Sequence, residues 1–352
     1  MLDSLRLALV SGAVVSALAW ARADTSTADP FAFFESTVRV SAADRSRLDK
    51  GEVIARVLPA DDGHLAFFSA ARLNAPPDAL VEWTRAIEEL KRSPMVLAVG
   101  RFSADIGDSD LDALTLEASE VDALKRCRIG SCEVKLAAPE IAALQDALGN
   151  TGKDWREAAQ REFRRILIAR VRVHRDNGLS ALPPYDDHGG RMSVGEAFSG
   201  VIARSPYLTR VFPEMVNALR TPRDAPAPAD DAFYYWSRER YGAGKPVVTI
   251  TFVRLLRSNG IAPQALAVST PLYASHYIDG GVGVTAVVCD GTGLSCYLAY
   301  LNRTRVDLLG GLFGAFKRAI IEGRIKSDGP ALMRGITRRI ESRVRRSAGG
   351  ES

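Results

Sequence analysis

Two hydrophobic patterns alternate along the chain, and their order predicts its architecture. Residues 51–75 are rich in β-branched and aromatic residues on both sides of an Asp-Asp-Gly sequence at 61–63, which predicts two strands joined by a turn. Pro76 and Pro77 then precede apolar residues at helical spacing, which predicts a helix. Residues 94–102 have a strand-like composition.

The pattern becomes helical in the middle of the chain. Residues 138–149 and 154–178 show apolar residues at helical spacing, and each segment has the expected start and stop residues. The Pro- and Ala-rich residues 220–231 favour an extended or irregular link. We therefore expect a helical insert at 105–231.

Strand patterns return after this insert and continue almost to the C-terminal region. Residues 233–257, 264–289 and 294–309 are rich in Val, Ile, Thr and aromatic residues. Apolar stripes at four-residue spacing then predict C-terminal helices. Ser-Asp-Gly-Pro at 327–330 leaves two alternatives open, one long helix or a broken pair.

The two ends of the chain carry a family resemblance. "RLNAPPDALVEWTRAIEEL" near the beginning and "YLAYLNRTRVDLLGGLFGAFKRAIIEGRIKSDGPALMRGITRRIES" at the end follow the element order of the START-like superfamily, which has the helix-grip fold. The resemblance implies an α+β protein with a curved antiparallel sheet around a long C-terminal helix and an apolar cavity between them. Most such proteins hold lipids, sterols or polyketides, and some are cyclases or hydrolases. The START-like parts would cover residues 24–104 and 232–346.

Residues 1–23 have the features of a signal peptide. Arg6 precedes an apolar run from Leu7 to Trp20, and Ala21-Arg22-Ala23 fits the small-residue cleavage pattern. This predicts a mature protein that begins near Asp24 and is periplasmic or secreted, with an uncleaved anchor as the alternative.

The four cysteines form two local pairs, Cys127 with Cys132 and Cys289 with Cys296. In an oxidising compartment each pair is expected to close a small disulfide loop. The alternative is a zinc site with four thiolates, but neither pair has the usual C-x2-C spacing. We expect no metal.

Charge is concentrated near the C-terminus. The formal net charge is +4, and residues 317–346 contain ten Lys or Arg against three acidic residues. A basic amphipathic helix of this kind suits peripheral contact with an anionic membrane. Because export is expected, nucleic acid is not an expected partner.

The candidate ligand-binding residues lie on three strand-like segments. Alternation along 272–278 predicts Tyr273, Ser275 and Tyr277 on one side and His276 on the other. Arg303, Arg305 and Asp307 would share a face, either as a surface charge ladder or with an arginine at a cavity mouth that binds carboxylate or phosphate. The candidate ligand-binding set is Tyr235, Trp236, Tyr273, His276, Tyr277, Arg303 and Arg305.

These residues lead to one functional prediction and one alternative. We expect an exported protein that holds a hydrophobic small molecule, such as a lipid, sterol or polycyclic compound, between sheet and C-terminal helix. The alternative is a hydrolase or cyclase with His276 as general base. No cofactor is expected, because residues 242–246 lack the earlier glycine of a phosphate loop and place Pro246 at its Ser/Thr position. Asp186-Asp187-His188 is interpreted as a solvated turn, since adjacent residues rarely converge on one metal ion.

Overall fold

The computed structural model describes residues 29–61, 63–149, 152–187, 191–224, 232–240, 244–258, 263–291, 293, 295–309 and 314–349. The predicted signal peptide, His188, and the glycine-rich residues 310–313 lie outside these residues. Among the described residues, none of the helices combines the length and the apolar character needed to span a membrane.

The secondary structure confirms an α+β protein. The strands are β1 (Ile54–Leu58), β2 (His64–Leu73), β3 (Val96–Arg101), β4 (Ala232–Arg240), β5 (Pro246–Arg257), β6 (Ala265–Ala274), β7 (Ile278–Cys289) and β8 (Cys296–Val306). The α-helices are α1 (Ala42–Asp49), α2 (Asp78–Arg85), α3 (Ile87–Leu90), α4 (Ala118–Arg126), α5 (Ala138–Gly149), α6 (Trp155–Asn177), α7 (Val194–Ala203), α8 (Pro206–Val211), α9 (Pro213–Arg220) and α10 (Gly314–Gly349).

All eight strands join one curved antiparallel sheet in the order β1-β2-β8-β7-β6-β5-β4-β3. Strands β4 to β8 form a meander of successive neighbours. The last of them, β8, pairs with β2, which comes from the opposite end of the sequence. The sheet thus joins the two terminal regions of the chain, and the segment between β3 and β4 forms the predicted helical insert.

Each side of the sheet is covered by a different part of the chain. We call the side that carries Val284 and Leu301 the insert face, because the helices between β3 and β4 pack on it. The α10 face carries Val287 and Leu298 and packs against α2, α3 and the second half of α10. Alternation along the strands explains how one sheet supports two separate cores.

The C-terminal region is one continuous helix of 36 residues, which contains Pro330. Its length is about 54 Å at the usual rise per residue. Near its start, the Arg318 guanidinium donates hydrogen bonds to the backbone oxygens of His64 and Asp61, at 2.8 and 3.0 Å. Near its end, Met333 and Ile340 are buried in the core of the α10 face. The helix is therefore anchored along most of its length.

Both predicted disulfides are present, Cys127–Cys132 and Cys289–Cys296. The first lies in the core of the insert face and the second in the core of the α10 face. Because each sulfur is bonded within its own pair, the four-thiolate zinc alternative is wrong. The two disulfides are consistent with an oxidising compartment.

Candidate functional site

The α10 face carries a group of polar side chains at the centre of the sheet. On β8, Thr304 Oγ1 donates to Asn302 Oδ1 at 2.7 Å, and Asn302 Nδ2 donates to Tyr300 Oη at 3.2 Å. These three residues alternate with Leu301 and Arg303, which point to the insert face. All three side chains are partly accessible, so they form a row of linked polar groups that solvent can reach.

Gly283 is the point on which these groups converge. A Cβ atom placed at Gly283 would lie 2.8 Å from Ser269 Oγ, 3.3 Å from Tyr300 Oη and 3.5 Å from Asn302 Nδ2. A side chain at position 283 would therefore displace the polar groups around it. We refer to Ser269, Gly283, Tyr300, Asn302 and Thr304 as the polar floor.

The polar floor continues into an apolar surface on the same face of the sheet. The Phe67 ring on β2 packs against Tyr300, with centroids 5.5 Å apart. Toward the other end of the strands, the buried part of the α10 face is apolar under α2 and α10. Its buried residues there include Val253, Leu255, Ala265, Ala267, Val287 and Leu298. One face thus offers hydrogen-bonding groups and hydrophobic contact side by side.

Tyr235 borders this region, whereas its neighbour Trp236 does not. Lys91 Nζ lies 5.6 Å from the centre of the Tyr235 ring and donates to Glu239 Oε1 at 2.5 Å. The charges of Lys91 and Glu239 are close enough to influence the pKa of Tyr300, although burial is the main cause of its raised value. Since adjacent strand residues point apart, the Trp236 indole lies on the insert face and donates to Asp110 O at 2.8 Å.

Tyr273 lies on the insert face, away from the polar floor. Its ring packs against Phe163 and Tyr185, with centroids 6.1 and 6.2 Å apart. Its buried hydroxyl has no hydrogen-bond partner in the part of the chain that the structure describes, and burial raises its pKa well above the ordinary value. Tyr273 therefore belongs to the packing between sheet and insert.

His276 and Tyr277 do not lie on a strand, so the predicted alternation is wrong there. Strand β6 ends at Ala274 and β7 begins at Ile278, and Tyr277 has a φ of 68°. His276 is buried beside the insert, where burial and the charge of Lys245 lower its pKa despite a hydrogen bond to the Glu133 backbone. The side chain of Ser275 instead accepts a hydrogen bond from Val248 N at 2.9 Å.

Arg303 and Arg305 also lie on the insert face. Arg303 is only 6% exposed, so the surface-ladder interpretation does not describe it. Arg305 is partly exposed and lies 3.4 Å from the Asp279 carboxylate. Asp307 pairs with a lysine of the insert rather than with either arginine.

That lysine, Lys135, was not predicted from the sequence. Its ammonium lies 2.8 Å from both Asp279 Oδ1 and Asp307 Oδ2, and 3.9 Å from Asp187 Oδ2. Burial opposes its charge, but Asp279 and Asp307 raise its pKa above the usual value for lysine. Asp187 is 6% exposed, so the solvated-turn interpretation is wrong for this residue. The cluster joins insert to sheet.

Two surface pockets lie near α1, away from the polar floor. One, of about 270 Å³, is lined by residues that include Phe31 and Ser41. The other, of about 610 Å³, lies between α1 and the Cys289–Cys296 hairpin and is lined mainly by polar residues such as Asp49 and Lys50. Neither has apolar walls of the kind that typically surround a hydrophobic ligand.

The comparisons with known proteins identify no relative. No protein-family model, no curated protein and no solved structure matches the chain.

Proposed function

We propose that the protein is an exported binding protein that holds a hydrophobic molecule with one polar end, of the lipid, sterol or polycyclic class, between the sheet and α10. The observation that supports this proposal is the convergence of Ser269, Tyr300 and Asn302 on Gly283, next to the apolar half of the same face. The START-like resemblance of the two ends implies a ligand in the same place.

The polar floor has the right chemistry for the polar end of such a ligand. Burial raises the pKa of Tyr300, so its phenol stays protonated at neutral pH. Its oxygen accepts from Asn302, which leaves the phenolic proton for a ligand hydroxyl, carbonyl or carboxylate. The ligand body would lie on Phe67 and, with movement of α10, on the apolar half of the face.

Export is part of the same proposal, with the periplasm or the exterior as the location. The predicted leader and the two disulfides support it. We do not extend the proposal to catalysis by His276, since this side chain lies beside Glu133 of the insert and not at the polar floor.

Peripheral membrane contact through α10 is a further part of the proposal. Lys317, Ile320 and Arg324 are exposed and follow one another at three- and four-residue spacing, so they share an outward face. We expect binding to vesicles that contain phosphatidylglycerol, with loss of binding in the double variant K317E/R324E or at high salt. Equal binding of the wild type and this variant would contradict the membrane contact.

Fluorescence of the neutral probe N-phenyl-1-naphthylamine tests the binding site itself. The wild type is expected to bind the probe with saturation. Asn302→Leu and Tyr300→Phe should weaken binding by about threefold to tenfold each, as expected for loss of one hydrogen bond.

Tyr297→Phe is the matched control. Tyr297 lies on the same strand, but its ring is on the opposite face of the sheet, 5.2 Å from the Phe31 ring, and its hydroxyl donates to Asp49 Oδ1 at 2.6 Å. This variant should bind the probe like the wild type. If all three variants bind equally, the probe does not occupy the polar floor and the proposed site is wrong.

A further inference from the structure

Arg303 has an unusual environment for a buried charge. It is 6% exposed, and it makes no hydrogen bond or ion pair within the described residues. Its Nε atom is completely buried. A guanidinium stays charged at any physiological pH, so an unpaired one in the interior is costly unless a negative group binds to it.

Within the described residues, two further buried groups on this face also lack hydrogen-bond partners. Tyr207 on α8 is fully buried, and no described group bonds to its hydroxyl. His64, at the start of β2, is 4% exposed, and its buried Nδ1 atom likewise has no partner among these residues. The Phe34 ring packs against both Tyr207 and Phe68, with centroids 5.7 and 5.5 Å apart, and Phe68 lies on the insert face of β2, the strand that pairs with β8. The charge of Arg303 also acts on the pKa of Tyr207 and on that of His64.

The strand register brings His64 and Arg303 together. Arg303 pairs with Ala66 of β2 and with Val282 of β7, while His64 pairs with Arg305, two residues further along β8. His64 and Arg303 therefore lie diagonally across neighbouring strands on the same face.

The groups around His64 and Arg303 carry positive charge and are partly exposed to solvent. Arg204, whose side chain is 40% exposed, pairs with the more exposed Asp61 at 2.6 Å. Burial, followed by the charges of Arg204, Arg305 and Arg303, lowers the pKa of His64, so its imidazole is neutral at pH 7. Within the described residues, the carboxylates of Asp61 and Asp279 each already pair with another arginine.

We infer that Arg303, Tyr207 and His64 form a binding site for one oxyanion group, a carboxylate or a phosphate, between the sheet and the insert. The guanidinium donates to the anion as a charged fork, the phenol donates a third hydrogen bond, and the neutral imidazole donates a fourth from Nδ1. This site is on the opposite side of the sheet from the polar floor and does not depend on the proposed function.

Two probes distinguish the sources of such an anion. Inorganic phosphate tests a free ion, and laurate tests an acid group carried on a hydrophobic chain. Binding of either is measured by isothermal titration calorimetry and by the rise in Tm of the full-length mature protein. Binding of phosphate alone would identify a free ion, whereas preference for laurate would identify the acid end of a lipid.

The decisive variants are Arg303→Met and Tyr207→Phe. Arg303→Met should weaken binding at least about tenfold, and Tyr207→Phe by about threefold to tenfold. Arg210→Met is the matched control, because Arg210 lies on α8, like Tyr207, but its side chain is exposed. It removes the same charge and should leave binding unchanged.

Stability without ligand provides a second readout. Because Arg303 is unpaired, its replacement by the apolar Met should leave Tm in anion-free buffer unchanged or higher, and should abolish the rise caused by the anion. The inference is overturned if neither probe raises Tm of the wild type, or if Arg303→Met and the wild type respond equally.

Discussion

The buried lysine that joins insert to sheet gives the sharpest prediction on stability. Lys135 is 4% exposed, and its ammonium lies 2.8 Å from both Asp279 and Asp307. Lys135→Met keeps the length of the side chain but removes its charge. Of its ion pairs within the described residues, Asp279, which is 5% exposed, would then keep only the weaker contact with Arg305, at 3.4 Å.

We expect this substitution to lower the free energy of unfolding by about 3 to 5 kcal/mol at pH 7.5, the usual cost of removing one partner from a buried ion pair. Lys245→Met is the control. Lys245 also pairs with a carboxylate, Glu133 at 2.7 Å, but the two side chains are 53% and 42% exposed. That surface pair should contribute less than about 1 kcal/mol.

The cost of Lys135→Met should depend on pH, in a direction set by the pKa of Asp279. Burial already raises the pKa of Asp279 in the wild type, and Lys135 opposes that rise. Without Lys135 the folded-state pKa must rise further above the unfolded value, so the folded protein binds a proton more tightly. The cost of Lys135→Met should therefore be full at pH 7 to 8 and should decrease as the pH falls toward 5.

Urea unfolding followed by tryptophan fluorescence at both pH values measures these differences. Asp279→Asn in the Lys135→Met background should recover part of the loss at pH 7.5, because it removes the uncompensated charge. A cost below about 1 kcal/mol that does not change with pH would refute the reasoning, since it would mean that the cluster is hydrated like a surface pair.

Three further predictions concern other parts of the fold. Burial opposes the ionisation of Asp44, but hydrogen bonds from Ser41 and Arg56 lower its pKa to about 2. Asp44→Asn should therefore lower the free energy of unfolding by about 1 to 2 kcal/mol at pH 7, and this cost, measured by urea titration, should disappear as the pH falls from 4 to 2. Breaking the Cys289–Cys296 disulfide with a double serine variant should cost about 2 to 3 kcal/mol of unfolding free energy in urea, and reductant should remove most of the difference from the wild type. Gly280→Ala should lower Tm, because the added Cβ would lie 2.9 Å from Ala197 Cβ and 3.2 Å from the backbone N of Phe198. By contrast, Gly335→Ala in α10 should raise Tm, because the space around Gly335 is open and alanine favours a helix.

Local patterns were sufficient to predict most of the architecture. The β-branched and aromatic composition of β5 and β7, the Pro-rich start of α2 and the spacing of the cysteines all depend on neighbours in sequence, and each prediction was confirmed. The choice between one C-terminal helix and a broken pair was not predictable, because Pro330 disfavours a helix locally and the contacts of Met333 and Ile340 with the sheet are tertiary.

The candidate sites were predicted less well, for a different reason. A site depends on which strands become neighbours, and the pairing of β2 with β8 joins residues more than 200 positions apart. Alternation would have separated Tyr235 from Trp236, which the candidate set places in one site, but it fails at His276, because a turn begins one residue after Ala274. Lys135, within the apolar sequence Val134 to Ala137, was a signal that went unused: a lone lysine in such a segment needs a buried partner.

The measurement that tests the central claim most directly is mass spectrometry of an organic extract of the protein, expressed with its own N-terminal segment and purified without detergent. We predict a stoichiometric hydrophobic molecule with a hydroxyl, carbonyl or carboxyl end, and a reduced amount of it when Asn302→Leu is purified in the same way. An extract without such a molecule, from a protein that also fails to bind N-phenyl-1-naphthylamine, would contradict the proposed function.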